Sequence, residues 1–166
     1  MIHPTALIGE PPEHRDWLPS SGCLPPDIAS SARIEALVTV DAGVFRATRV
    51  GERTWLMKKV HVGHDALIGR DCEIAPLTSV GGEVEIGNGV KVGQGATFKP
   101  QVTIGDGARI GMSAVVTKDV PAGETWVGNP ARRLYAFDER EEWERWYDDS
   151  RAPERLRQVE DYLEAS

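Results

Sequence analysis

The chain has 166 residues, with 26 acidic against 19 basic side chains, a net charge of −7 and no run rich in lysine or arginine. That length suits one modest domain with a small appendage, and the charge argues against a nucleic acid as partner. No apolar stretch reaches the ~18 residues needed to span a bilayer and the N-terminus lacks the order of a signal peptide, so a cytoplasmic protein without a membrane span is expected.

Taken in chain order, the first rhythm is faint, with Ile2 and Ile8 six apart. It breaks from Pro11 to Asp27, a stretch holding Pro11, Pro12, Pro19, Gly22, Pro25 and Pro26 that reads as a surface loop. The rhythm resumes in another register at Ile28, Ile34 and Val40 and breaks again around Phe45 to Arg49, briefly enough for a bulged corner. From Val50 an aliphatic residue or phenylalanine then recurs every sixth position without a slip: Val50, Leu56, Val62, Ile68, Ile74, Val80, Ile86, Val92, Phe98, Ile104, Ile110, Val116. The following residue is often glycine, and the residue two before is usually small or β-branched, as in Thr54, Val60, Ala66, Cys72 and Thr78. A strict hexapeptide period predicts an all-β solenoid, a left-handed parallel β-helix in which each hexapeptide supplies one short strand and a turn. Three hexapeptides complete a coil of about 18 residues, with aliphatic side chains stacked on those of the next coil. The glycines read as corner residues that tolerate no Cβ.

After Val116 the pattern lapses through Thr117–Glu124 and resumes loosely at Trp126–Pro130. From Phe137 the composition turns charged and aromatic without glycine, which predicts a helix to about Tyr147, a break before Pro153 and a second helix to the end. The expected organisation is therefore a β-helix over 1–134, with a surface loop at about 11–27, and a C-terminal α-helical extension over 135–166. Trp143, Trp146, Tyr147 and Leu156 would cap the last coil or pack on a neighbouring subunit. Cys72 falls in the inward small-residue series and Cys23 in the proline-rich loop, so two free thiols are expected.

Two of the four histidines stand together in Lys58-Lys59-Val60-His61-Val62-Gly63-His64-Asp65. In the hexapeptide frame Val60 and Val62 point inward, leaving His61 and His64 outward. An imidazole near neutral pH can take a proton from an incoming hydroxyl or amine, and a carboxylate within reach would fix its tautomer. The alternative is a pair of solvated turn residues.

The segment from Thr39 to Gly69, above all Leu56 to Asp65, resembles the active-site coil of the UDP-N-acetylglucosamine O-acyltransferases of lipid A assembly. His64-Asp65-Ala66-Leu67-Ile68-Gly69, Ile74-Ala75-Pro76, the run from Ser113 to Pro121 and Val127-Gly128-Asn129-Pro130-Ala131-Arg132 resemble the sugar O- and N-acetyltransferases of the sialic-acid and bacillosamine type. Together these segments lie between Thr39 and Arg132, a stretch of about half the chain. The resemblance implies an acyltransferase moving an acetyl group from acetyl-CoA to an amine or hydroxyl of a sugar or nucleotide-linked sugar, with no acyl-enzyme and no metal. It implies His64 as general base, Asp65 as its support and the Gly82 backbone N–H as oxyanion donor. His61 would help bind the sugar nucleotide, with Glu83 and Met57 beside it on the acceptor side. Met112, Ser113 and Ala114 would offer backbone groups to the pantetheine arm, while Lys118, Asn129, Pro130 and Arg132 would line the CoA groove. A homotrimer with active sites between subunits is also implied.

This sequence departs from the lipid A pattern at Glu83, where that family has histidine, and at Lys99 and Pro100, where it has a His-Gln pair. Its acceptor and acyl-chain specificity is therefore not carried over. Two other readings remain: an acyl-carrier-protein-dependent sugar acyltransferase, and a non-catalytic β-helical scaffold subunit. A zinc enzyme of the γ-carbonic-anhydrase type needs three imidazoles, whereas His61 and His64 stand three apart, with His3 and His14 far upstream.

Overall fold

Parallel strand pairing dominates the architecture of this chain. The computed structural model describes residues 1–12 and 22–134. Met1–Leu134 is one compact unit built from sheets of six, five and seven strands, and consecutive strands step from one sheet to the next. The result is a three-faced parallel β-solenoid, the fold class the hexapeptide period predicts. On the first face Leu7, Thr39, His61, Ser79, Thr97 and Val115 stand in register. Asp27, Arg49, Leu67, Glu85 and Thr103 stand so on the second, and Arg33, Trp55, Glu73, Lys91, Arg109 and Thr125 on the third.

Most strands are only two residues long because the chain turns a corner every six. Period-2 alternation sends the first residue of each pair outward and the second inward. The inward residues Val62, Val80, Phe98 and Val116 stack in one column and are buried, as are the aliphatics of the other two columns. The small series two positions earlier, Val60, Thr78, Ala96 and Ala114, fills the narrow corner of each coil and is buried too. Cys72 lies in this series, fully buried, and donates its thiol to the Gly87 carbonyl at 3.0 Å.

The glycines after the aliphatics tolerate no Cβ, as the sequence reading expects, and the reason is the neighbouring coil rather than their own φ. The left-handed backbone position lies two residues beyond them and is filled mainly by other residues, among them Arg53, Lys59, Asp65, Leu77, Glu83 and Gln101. What glycine supplies after the aliphatic is room for the next coil. A Cβ on Gly69 would lie 2.5 Å from the Gly87 carbonyl oxygen, and one on Gly63 2.8 Å from the Gly82 nitrogen. Neither backbone can retreat without breaking the coil-to-coil ladder, in which Gly63 N–H donates to Val80 O at 2.8 Å.

At the C-terminal end, Val120 bridges to Ile104 and Thr125–Val127 adds to the third sheet, pairing antiparallel with Arg132–Arg133. Val120 and Ala131 are buried there, and Trp126 packs partly against the core. The helical extension expected over 135–166, with Trp143, Trp146, Tyr147 and Leu156, lies outside the described residues, as does most of the expected loop at 11–27. Among the described residues no helix is long and apolar enough to cross a membrane.

Gly69→Ala is expected to destabilise the solenoid by roughly 1–3 kcal/mol, the usual cost of forcing atoms into a packed site. Gly107→Ala, at φ 67° with open space around it, should cost only about 1–2 kcal/mol, the strain of a left-handed L-residue. Urea unfolding of both variants, with Gly69→Ala the more damaging, checks that close approach rather than turn conformation selects these glycines.

Candidate functional site

His64 and Asp65 occupy the corner that leads from the first face to the second. Asp65 takes the left-handed position, φ 61°, which turns its side chain back into the corner and buries it to 1% exposure. The sequence places a carboxylate beside His64 but does not reveal that it is buried. His64 keeps 15% of its side chain exposed, and its Nδ1 lies 2.6 Å from Asp65 Oδ2. The second carboxylate oxygen, Oδ1, accepts the backbone N–H groups of Val44, Phe45 and Arg46 at 3.0, 2.8 and 2.7 Å. Asp65 N–H donates to the buried Thr48 hydroxyl at 2.9 Å.

Burial pushes the Asp65 carboxyl up, but the N–H of Arg46, the His64 imidazole and the N–H groups of Phe45 and Val44 together outweigh it and hold the group below the usual aspartate range. Asp65 is thus an anion at neutral pH, aimed at Nδ1. That arrangement favours the Nδ1–H tautomer and turns Nε2 to the other side of the ring.

The opposite edge of the ring meets Gly82. A Cβ on Gly82 would lie 2.6 Å from His64 Nε2 and 2.9 Å from Cε1, so only glycine leaves the imidazole in place. The Gly82 N–H has no hydrogen-bond partner among the described residues. Glu83 N–H donates to the His64 carbonyl at 2.8 Å, locking the second coil onto the first, and Gln101 Nε2 reaches Glu83 Oε1 at 3.3 Å. A recess beside the dyad is lined by Phe45, Arg46, Asp65, Glu83, Glu85 and Gln101. His64, Gly82, Pro100 and Lys118 recur at one position of successive coils and form one edge of the solenoid.

The remaining expected residues are dispersed. His61 stands on the first face with Nδ1 2.8 Å from Thr39 Oγ1 and Nε2 3.9 Å from Asp41, in a recess of about 410 Å³ that Leu7, Glu10 and Pro11 also line. Met57, Met112, Ser113 and Ala114 lie at the opposite edge of that face, before its strands rather than after them. Ser113 and Ala114 commit their N–H groups to Gln94 and Gly111, leaving the Met112 N–H as the one of these three without a partner among the described residues. Lys118, Asn129, Pro130 and Arg132 are exposed around the last coil, and Arg132 Nη1 donates to the Ala131 carbonyl at 2.8 Å. Among the described residues no cluster of His, Cys, Asp or Glu has the makings of a metal site.

Sequence reasoning missed Thr48, Val44, Phe45 and Arg46. The signal was one of length: the coil from Thr39 to His61 is four residues longer than those from His61 to Ser79 and from Ser79 to Thr97, and the extra residues are the ones that wrap Asp65.

A carboxyl held below its ordinary value contributes stability that is complete above about pH 4 and is lost as pH falls through its own lower value. Asp65→Asn should therefore lower stability most at neutral pH. The gap between wild type and variant should narrow from about pH 4 downward, read by urea unfolding at stepped pH.

Residues 47–82 and 83–118 match the family described as "Bacterial transferase hexapeptide (six repeats)". The UDP-3-O-acylglucosamine N-acyltransferase of Caulobacter vibrioides is 54% identical over 107 residues, covering 64% of this chain and 32% of that protein. The chain thus spans about a third of that curated relative's length. The crystal structure of UDP-N-acetylglucosamine O-acyltransferase from Moraxella catarrhalis superposes with a TM-score of 0.76 at 25% identity, over 98% of this chain and 72% of that one. The acetyltransferase domain of PglB from Neisseria gonorrhoeae, solved with acetyl coenzyme A, superposes with a TM-score of 0.60 at 28% identity, over 80% of this chain and 56% of that one. Repeat pattern, solenoid and relatives together identify this chain as a hexapeptide-repeat β-solenoid that resembles the nucleotide-sugar acyltransferases.

Proposed function

We propose that the chain transfers an acyl group from a thioester donor to the amino group of a nucleotide-linked sugar. The observation that carries this reading is the buried, ionised Asp65 on His64 Nδ1, with a glycine backbone against the far side of the ring. An N-acceptor is favoured over a hydroxyl by the similarity to the N-acyltransferase of Caulobacter vibrioides. Glu83, in the recess beside the dyad, also offers a carboxylate acceptor to the N–H groups of a neutral amino acceptor.

In this mechanism the neutral acceptor amine attacks the thioester carbonyl carbon while His64 Nε2 takes its proton. Asp65 stabilises the imidazolium that forms. The Gly82 N–H donates to the carbonyl oxygen as it becomes an oxyanion. Collapse of the tetrahedral intermediate breaks the C–S bond, and the imidazolium returns its proton to the leaving thiolate. His61, held by Thr39, binds the sugar nucleotide on the first face, with Glu83 beside the dyad on the acceptor side and Met57, at the opposite edge, serving the site of a neighbouring copy.

The donor in this reading is acetyl-CoA, supported by the ligand of the PglB domain. The Met112 N–H with Ser113 and Ala114 would track the pantetheine arm, and Lys118, Asn129, Pro130 and Arg132 its phosphate end. Met112 and His64 lie at opposite edges of one face, so a donor reaching both is best accommodated by a homotrimer in which neighbouring copies each contribute one edge. The 54% identity to an N-acyltransferase of 3-O-acylglucosamine favours, as second reading, a longer acyl chain delivered by an acyl carrier protein.

Calorimetry with acetyl-CoA, then thiol release against UDP- and GDP-linked amino and hydroxy sugars, tests the proposal. Turnover on an amino acceptor that falls about a thousandfold in His64→Ala supports it. Turnover only with an acylated carrier protein moves the donor assignment, and turnover untouched by His64→Ala removes the mechanism. Gly82→Ala is expected to keep the fold, because the colliding group is a side chain, yet to lower kcat about a hundredfold by displacing the imidazole.

A further inference from the structure

Among the described residues, the corner between Thr39–Asp41 and Arg49–Val50 is four residues longer than those at the same place in the next two coils. Gly43 permits it: a Cβ there would collide with the Arg46 carbonyl, so the chain doubles back within four residues. Gly43 is also bonded reciprocally to Leu24, at 2.7 and 2.8 Å, which ties the corner to the strand-like return of the preceding loop. Three successive amides, those of Val44, Phe45 and Arg46, converge on Asp65 Oδ1 as a backbone nest of the kind that binds anions.

With Oδ1 held by three donors, the carboxylate has no rotation left, and Oδ2 is delivered to His64 Nδ1. Glu83 and Gln101 take the same left-handed position one and two coils later, yet their side chains meet each other instead of any nest. The Arg46 side chain closes the device. Its Nε donates to the Asp65 backbone carbonyl at 2.7 Å and its Nη1 to Glu85 Oε1 at 2.7 Å, so one guanidinium pins the nest to the residue it serves and to the next coil.

We propose that the four-residue insertion is a positioning device for the His64–Asp65 dyad, with Arg46 as its positioning residue; this rests on the acyl transfer proposed above. Arg46 acts through Asp65: although its side chain lines the recess beside the dyad, its donors are committed to the Asp65 carbonyl and to Glu85. The groups facing the Asp65 carboxylate are His64 and the three amides, with Arg46 and Glu85 behind them.

The test is Arg46→Gln, alone and in an Asp65→Asn background, with two readouts: steady-state kinetics, and titration of the Asp65 carboxyl by ¹³C NMR, which needs no substrate. The expected result for Arg46→Gln alone is kcat lower by about tenfold, both KM values unchanged, and an Asp65 midpoint raised toward the ordinary value. In the Asp65→Asn background the same change should have no further effect on kcat. An equal loss in both backgrounds, a raised acceptor KM with kcat intact, or an unmoved Asp65 titration each overturns the inference. If the wild-type chain transfers no acyl group while the Asp65 titration shifts as expected, the proposed function fails and the nest is a structural clamp only.

Discussion

Everything in this molecule depends on the stacking of one coil's backbone on the next. Parallel strands hold their neighbours at about 4.8 Å, and each coil must close on itself within that rise. Six residues per face satisfy this, and the register then places equivalent residues of successive coils in line, as it does His61, Ser79 and Thr97. The columns of buried aliphatics and the glycines of close approach are both consequences of that spacing. A residue that cannot tolerate the neighbouring coil is excluded wherever the backbones nearly touch, as at Gly69.

The same spacing creates the site. Because His64 and Gly82 occupy one position in adjacent coils, the absence of a side chain in the second is what gives the imidazole of the first its place. The departure from regularity at the Thr39–His61 coil supplies concavity and donors together, wrapping a carboxylate that would be costly to bury alone.

Much of the fold was legible from the period alone, because period and coil closure are the same constraint written in different terms. Val50 to Val116 specify which side chains face inward, and they do so in the structure. His64 and Asp65 were legible as a pair, by resemblance and by adjacency. That the glycines tolerate no Cβ was legible as well, but not what a Cβ would meet, since the backbone they make room for belongs to the next coil. The insertion was noticed as an interruption, but its contact with Asp65 joins residues about twenty positions apart and leaves no local pattern.

By itself, the sequence determined the solenoid, its inward columns, and the outward placing of His61 and of His64 next to an aspartate, because these follow from a short repeat whose every unit faces the same packing problem. Only the tertiary structure decided that Asp65 is buried and ionised and that Gly82 frames the imidazole. It also decided that Val44 to Arg46 hold the carboxylate, while Met112 to Ala114 stand at another edge from His64. Those facts depend on which coil lies against which, a matter settled by hydrogen bonds between backbones distant in sequence rather than by any residue's own preference.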